Sequence, residues 1–426
     1  LNNPDNRVSF KEATIAGQAA DKGLFFPERI PALPEGFIDQ LKHLSKEEIA
    51  YTVIAPYVGD SIPEEALRQI VAETVNFDIP LKLIHDGVYT LELFHGPTLA
   101  FKDTGARFMS RCLGYFMRSA QQKVTVLVAT SGDTGGAVAD GFYDVEGVDV
   151  VILYPSGKVS SVQEKQLTTL GKNITALEVA GTFDDCQQMV KSAFMDEALK
   201  QHLFLTSANS INVARWLPQQ FYYFFALQQW QLAVPPVFCV PSGNFGNICA
   251  GLLAHASGLP VKHFIAACNE NDVVTRYLAS GNYEPLPAVA TISNAMDVGS
   301  PSNFVRILEI FQQQFIALQQ QLTSFRVDDT QTKLQLKSVY EQFGYLLDPH
   351  GAVGYEALQR YQQTVDAAPG IILETAHPVK FYDVVEPVIG EAVPIPEAIQ
   401  TQLKKEKHSI LMPAKFDELK AFLLSR

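Results

Sequence analysis

The stretch that decides the fold is Glu92-Leu93-Phe94-His95-Gly96-Pro97-Thr98-Leu99-Ala100-Phe101-Lys102-Asp103-Thr104-Gly105-Ala106-Arg107-Phe108-Met109. A β-type run from Tyr89 to Phe94 ends at the turn Gly96-Pro97. The short apolar segment Leu99-Ala100-Phe101 then delivers one lysine, Lys102. Asp103 and Thr104 read as the N-cap of a helix. That helix spaces Phe108, Cys112 and Phe116 at i, i+4 and i+8, so it has a buried face. Lys102 thus stands at a loop-to-helix junction with apolar neighbours behind it. Partial desolvation there lowers the pKa of an ammonium and frees the amine as nucleophile or base. A Schiff-base lysine needs that environment. The bland alternative is a stem laid on apolar surface with its ammonium in water, and for one lysine taken alone it is the commoner case. The rest of the chain decides between them.

From Val88 onward, strands and helices alternate. Residues 123–129, 148–154, 174–179, 203–205, 236–240, 263–268 and 371–373 read as strands, with helical patterns between most of them. Such alternation predicts parallel sheets with helices on both faces and ligands at the carboxyl ends of the strands. Before residue 85 the patterns are mostly helical: 37–43, 45–57 with Ser45 and Glu48 at capping-box spacing, and 63–77. Gly23-Leu24-Phe25-Phe26-Pro27 looks like a strand entering a Pro-rich loop. Gln-rich residues 311–322 keep helical apolar spacing and read as one surface helix. The expected division is a helical N-terminal unit (1–85), a smaller α/β domain (86–217) and a larger one (218–426).

Lys and Arg number 33 against 46 Asp and Glu in 426 residues, a net charge of −13. That acidity argues against nucleic acid or an anionic membrane as partner. Any anionic substrate must be met by a locally positive site. The five cysteines (Cys112, Cys186, Cys239, Cys249, Cys268) form no Cys-x-x-Cys pair and suit reduced thiols in the cytoplasm. The nine histidines show no metal-ligand spacing, so no metal is expected. No apolar run reaches the roughly 18 residues of a membrane span, and no signal peptide is recognised.

Gly243-Asn244-Phe245-Gly246-Asn247 joins a strand to a helix and offers several backbone N–H groups at a positive helix end. It lacks the dinucleotide and Walker spacings, so it fits a single phosphate, or else is an ordinary tight turn. Thr130 to Gly136, with Thr130, Ser131, Asp133 and Thr134, is a second hydroxyl-rich turn at a helix start, suited to a carboxylate. Ser156-Gly157-Lys158 adds a cation, or is a solvated loop. Asn209, Ser210, Asn212 and Arg215 share one loop–helix junction. Arg215 can bind an oxyanion bidentately, or the group is an N-cap followed by a surface arginine. One poised amine, one phosphate cup and further anion sites form the inventory for pyridoxal phosphate acting on an amino acid with a second anion.

Several of these segments, in this order, resemble the threonine synthase family. They are Glu92 to Asp103, Ser131 to Gly135, Tyr154 to Ser160, Ser207 to Asn212, Pro241 to Asn247, Asp348-Pro349-His350-Gly351 and Glu374-Thr375-Ala376-His377-Pro378. Arg7 to Phe10 and Gly23 to Pro27 resemble that family's extra N-terminal domain. The resemblance implies the tryptophan-synthase-β-like fold (fold type II), with two three-layer α/β domains. It implies pyridoxal 5'-phosphate carried on Lys102, with its phosphate at Gly243–Asn247 and Thr375 facing the ring nitrogen. It implies conversion of O-phospho-L-homoserine and water to L-threonine and phosphate, with Lys102 as the repeated base. Substrate contacts fall to Thr130, Ser131, Asp133, Thr134, Ser156, Lys158, Asn209, Ser210, Asn212 and Arg215. The branch resembled is the long one of enteric bacteria and fungi, which implies a cytoplasmic monomer without S-adenosylmethionine control. Many relatives of this fold carry Asn where this chain has Asp133. Another lyase or dehydratase of the same fold is the alternative. A cofactor-binding protein without catalysis and a NAD dehydrogenase are further ones, the last disfavoured by the missing glycine fingerprint.

Overall fold

The computed structural model describes residues 1–118 and 122–426. Apolar runs set its strands: Val124–Ala129 is buried at every position, the mark of a strand covered on both faces. The described strands are Leu81–His85 (β1), Val88–Glu92 (β2), Val124–Ala129 (β3), Val148–Pro155 (β4), Ile174–Ala180 (β5), Phe204–Thr206 (β6), Val237–Pro241 (β7), His263–Cys268 (β8), Leu322–Arg326 (β9), Gly370–Glu374 (β10) and Ile410–Pro413 (β11). They form a six-stranded sheet, β1-β2-β10-β7-β8-β9, and a five-stranded sheet, β11-β5-β4-β3-β6. Every pairing is parallel except β1 with β2.

Successive residues of a strand face opposite sides, and here each side has its own core. In the larger sheet Cys239, Ile265 and Ile372 pack with Val353, Ala357 and Leu358 of the helix Pro349–Thr364. Phe238, Phe264, Ile371 and Leu373 face the other way, into the core that holds the aromatic helix Phe221–Gln229. In the smaller sheet Leu127, Val151 and Leu177 pack with Met189 and Val190 and with Leu419 and Leu423 of the last helix. Val126, Val128 and Ile152 join the main core. Each sheet is therefore the middle of three layers, as expected for fold type II.

The N-terminal unit is helical: Phe10–Ala16, Lys46–Val58 and Glu64–Thr74. Capping boxes at Ser9/Glu12 and Ser45/Glu48 start the first two, each cap contributing about 1 kcal/mol. Ile49, Val53, Ile54, Leu67 and Val71 dock this unit onto the main core. Residues 23–27 do not form the expected strand. Pro27 lacks a donor, and the Phe25 carbonyl is instead taken by the Arg306 guanidinium, Nη2 to O 2.9 Å.

The chain does not divide at the expected cuts of 85/86 and 217/218. The 85/86 cut falls between the paired strands β1 and β2, and both lie in the larger sheet, β2 beside β10. β11, near the end of the chain, returns to the smaller sheet beside β5. The Gln-rich stretch is also not one helix. Phe304–Ile310 and Phe315–Gln321 are separate helices, with a turn between them in which Gln312 and Gln313 take positive φ.

Candidate active site

β2, β10 and β7 are neighbours, so the loops leaving their carboxyl ends meet although they come from distant parts of the sequence. Lys102 follows β2, Thr375 follows β10, and Gly243–Asn247 follows β7.

Lys102 is the first residue of the helix Lys102–Met117, and Phe101 is its N-cap. Asp103 does not cap this helix, contrary to expectation. Its carboxylate turns back to accept from Thr98 N at 2.9 Å and from the Thr98 hydroxyl. Glycine is required at Gly96, where a Cβ would stand 2.5 Å from Asp103 Oδ2. The loop is pinned to the chain after β10: Phe101 N donates to Thr375 O (2.9 Å) and His377 N to Leu99 O (3.0 Å). The Tyr222 hydroxyl donates to Phe101 O. Lys102 Nζ stands 5.6 Å from the Phe101 ring centroid. Burial lowers its pKa to about 8; Asp133 opposes that fall, while Lys380 and Arg215 add to it.

At Gly243–Asn247 the backbone N–H groups find no acceptor among the described residues. Phe245 is the N-cap of the helix Gly246–Ala256 and takes φ +60°, a left-handed twist that turns successive amides inward. A Cβ on Gly243 would lie 2.8 Å from Met296 Cα. Asn303 holds the outer rim, its N and Nδ2 both donating to Asn244 O at 3.2 Å. Asn247 contributes only its N–H, because its side-chain amide donates to Pro241 O at 2.8 Å. The Thr375 side chain makes no hydrogen bond to the described residues and is nearly buried. Open amides at a helix start, a lysine with a lowered pKa and an unengaged hydroxyl fit a phosphorylated cofactor bound through an amine.

The opposite wall comes from the smaller sheet. Thr130 Oγ1 accepts from Gly132 N and Gly135 N, both at 2.9 Å, so it shapes the turn rather than offering an open oxygen. Ser131 and Thr134 are half-buried, and their hydroxyls make no hydrogen bond to the described residues. Asp133 points inward, its Oδ1 accepting from Gln163 Nε2 (3.0 Å) and pairing with Lys380 Nζ (2.9 Å). Burial opposes ionisation of Asp133, but Lys380 and Lys102 outweigh it and hold the carboxyl well below the usual range.

Arg215 is buried rather than at the surface. Its Nη1 donates to Ala208 O at 2.8 Å, its Nε has no partner, and no carboxylate pairs with it among the described residues. Burial lowers its pKa to about 10, so it keeps its charge. Ser210 Oγ accepts from Asn303 Nδ2 at 3.1 Å, and the Asn209 side chain is half-buried and without a hydrogen bond to the described residues.

Besides Thr130, two expected substrate contacts are engaged elsewhere. Asn212 is a fully buried N-cap: Oδ1 accepts from Ala214 N, and Nδ2 donates to Thr14 O and Ser207 O. The Ser156 hydroxyl donates to Glu178 Oε1 at 2.7 Å, toward a cluster of Glu178, Lys407 and Ser409. Lys158 stands exposed on its turn with no ion pair among the described residues.

Behind Thr375 lies an acidic layer. Glu374 is fully buried and accepts from Asp348 N at 2.7 Å. Burial, with Asp348 beside it, pushes its carboxyl well above the usual range. Asp348 Oδ2 receives His350 Nδ1 at 2.5 Å, and His350 Nε2 accepts from Ala295 N at 3.2 Å. Ala295 O would meet a Cβ on Gly243 at 3.0 Å, so the Asp348-Pro349-His350-Gly351 segment supports the back of the Gly243–Asn247 turn.

The sequence reading missed Lys380 and Gln163. The available signal was a lone cation inside the apolar run Pro378-Val379-Lys380-Phe381.

Family models agree with this architecture along the chain. One described as pyridoxal-phosphate dependent enzyme matches residues 80–373, one described as threonine synthase N terminus residues 2–75, and one described as threonine synthase, C-terminal, residues 351–423. Threonine synthase of Serratia marcescens is 44% identical over 429 aligned positions, spanning 100% of this chain and 98% of that protein. A crystal structure of threonine synthase from Escherichia coli matches with a TM-score of 0.92 at 43% identity, covering 99% of this chain and 97% of that one. PLP-bound threonine synthase from Brucella melitensis matches with a TM-score of 0.91 at 34% identity, covering 98% and 96%. With its fold, its site loops and its relatives aligned nearly end to end, the chain belongs to the threonine synthase family of pyridoxal-phosphate-dependent enzymes.

Proposed function

We propose that the chain converts O-phospho-L-homoserine and water to L-threonine and phosphate, with the residues above in defined roles. The observation that carries the assignment of substrate class is Arg215, a buried guanidinium without an anionic partner close to the Lys102 amine. A chain of net charge −13 that leaves such a cation uncompensated has a site suited to a second anion.

Lys102 carries pyridoxal phosphate through Nζ, the amides of Gly243–Asn247 hold its phosphate, and Thr375 offers its ring nitrogen a neutral hydroxyl. Bound there, the cofactor supplies a sink for electron density developed at the substrate's Cα. Lys102 Nζ removes protons at Cα and Cβ and delivers protons to Cγ, where phosphate has left, and to Cα, as water adds its hydroxyl at Cβ; a pKa of about 8 leaves part of it neutral at physiological pH. Ser131, Thr134 and the N–H groups at the start of the helix Asp133–Phe142 hold the substrate carboxylate. Arg215, with Asn209 and Ser210, holds the phosphate that leaves from Cγ. Lys158 on the rim draws in the dianionic substrate against the acidic surface. The five cysteines are free and buried, which accords with a reducing cytoplasm, and the reading includes a monomer there. No described helix is long and apolar enough to cross a membrane.

Purified protein supplied with cofactor and O-phospho-L-homoserine should release phosphate and form threonine in equal amounts. Phosphate without threonine would move the assignment to a different lyase.

A further inference from the structure

The fully buried Lys380 and the half-buried Lys102 share this site with the buried carboxylate of Asp133, and that carboxylate is bound to the lysine that follows β10, not to the one that follows β2. Lys380 Nζ reaches Asp133 Oδ1 at 2.9 Å and Thr98 O at 2.8 Å. The side chains of Lys380 and Asp133 are 0% and 3% exposed. Thr98 belongs to the loop that delivers Lys102, so Lys380 joins that loop to the start of the helix Asp133–Phe142. Neither Asp133 Oδ2 nor Lys102 Nζ makes a hydrogen bond to the described residues, yet the two groups act on each other's charge.

We propose that Lys380 is a positioning residue for the reaction: by binding Asp133 it keeps that carboxylate from pairing with Lys102 and leaves the Lys102 amine able to shed its proton. The proposal rests on the reading of Lys102 as the reacting amine. A buried carboxylate deprived of its partner is strongly disfavoured and turns to the next cation within reach. Here that cation is Lys102, and an opposite charge beside an ammonium stabilises the protonated form. The other charged group acting on Lys102 is Arg215, which works in the same direction as Lys380. Asp103, next along the helix, is occupied by Thr98. Lys380 thus cancels Asp133 without being able to substitute for Lys102, because its Nζ is sealed behind Thr98 O and the carboxylate.

A lysine that merely fastened the two sheets together would alter stability and leave the proton affinity of Lys102 alone. The test therefore reads Lys102 directly. Cofactor-free protein is treated with an amine-acylating reagent over a pH series, and label on the Lys102 peptide is quantified by mass spectrometry. The wild-type midpoint is expected near 8. Lys380→Met should raise it by about one pH unit or more, and the double variant Lys380→Met/Asp133→Asn should bring it back down. A folded Lys380→Met protein with an unchanged midpoint, or a double variant that stays raised, overturns the proposal. If Lys380→Met does not fold, Asp133→Asn alone decides: a midpoint below the wild-type value supports the role, and an unchanged or higher one overturns it. Turnover by Lys102→Ala would refute the reading of Lys102 as base without touching these midpoints, so the two failures are separable.

Discussion

Lys102→Ala should lower threonine formation by about three orders of magnitude or more, while the protein keeps its fold and a measurable affinity for the cofactor. The size follows from the double use of one amine. A positioned general base contributes about 10²–10⁴-fold, and covalent capture of the cofactor is lost in addition. Retained affinity follows because the Gly243–Asn247 amides are backbone groups at a helix start, untouched by the substitution. The helix Lys102–Met117 tolerates the change, since its first turn is held by Phe101 N and by Asp103 on Thr98. Equilibrium dialysis for cofactor and a coupled phosphate assay measure the two halves. Ordinary turnover by a Lys102→Ala protein would show that the amine is not the base.

Arg215→Met should cost one to two decades in kcat/KM and cost no stability. Removing a charge-assisted hydrogen bond to the substrate phosphate is worth about 1.5–3 kcal/mol. The stability side has the opposite sign. In the unliganded protein Arg215 is a desolvated cation with an orphaned Nε and no carboxylate, so a methionine of similar length relieves a standing penalty. The urea midpoint should stay level or rise, while the cofactor's visible absorbance is unchanged. A loss of stability with full kcat/KM would mean that Arg215 is a structural strap. Arg306 is the internal comparison. It is equally buried, but its guanidinium donates to Phe25 O, Ser210 O, Ile211 O and Asn303 Oδ1. Arg306 spends its donors on the fold; Arg215 leaves donors open.

What could be read from the sequence was whatever depends on a single local segment. The cup at Gly243–Asn247 needs only a strand end, a glycine turn and a helix start, all adjacent in the chain. Lys102 was legible because its apolar neighbours and the turn before it lie within ten residues. Directions set by distant neighbours were not legible. Ser156 turns to Glu178 because β4 pairs with β5 and the tail near Ser409 closes over that edge. Asn212 can cap a helix or bind a ligand on the same local pattern, and the Thr14 carbonyl decides in favour of the cap. Asp103 looks like a cap until Gly96 and Thr98 are folded against it. The misplaced cut at residue 85 has the same origin, since the parallel partner of β2 is β10, most of the chain away.

That position of β10 has a consequence for the order of synthesis. β2 and β7 both leave the ribosome long before residues 370–374, and in the finished sheet they are joined only through those residues. Until then each presents an open, apolar edge toward the other. Lys102 and the Gly243–Asn247 turn cannot be brought to their final spacing while the strand between them is missing. A nascent chain ending at residue 369 should therefore be protease-sensitive and retain no cofactor after gel filtration, even with the smaller sheet's β3–β6 complete. Protease resistance and cofactor retention by that truncated chain would show that the larger sheet closes without its central strand.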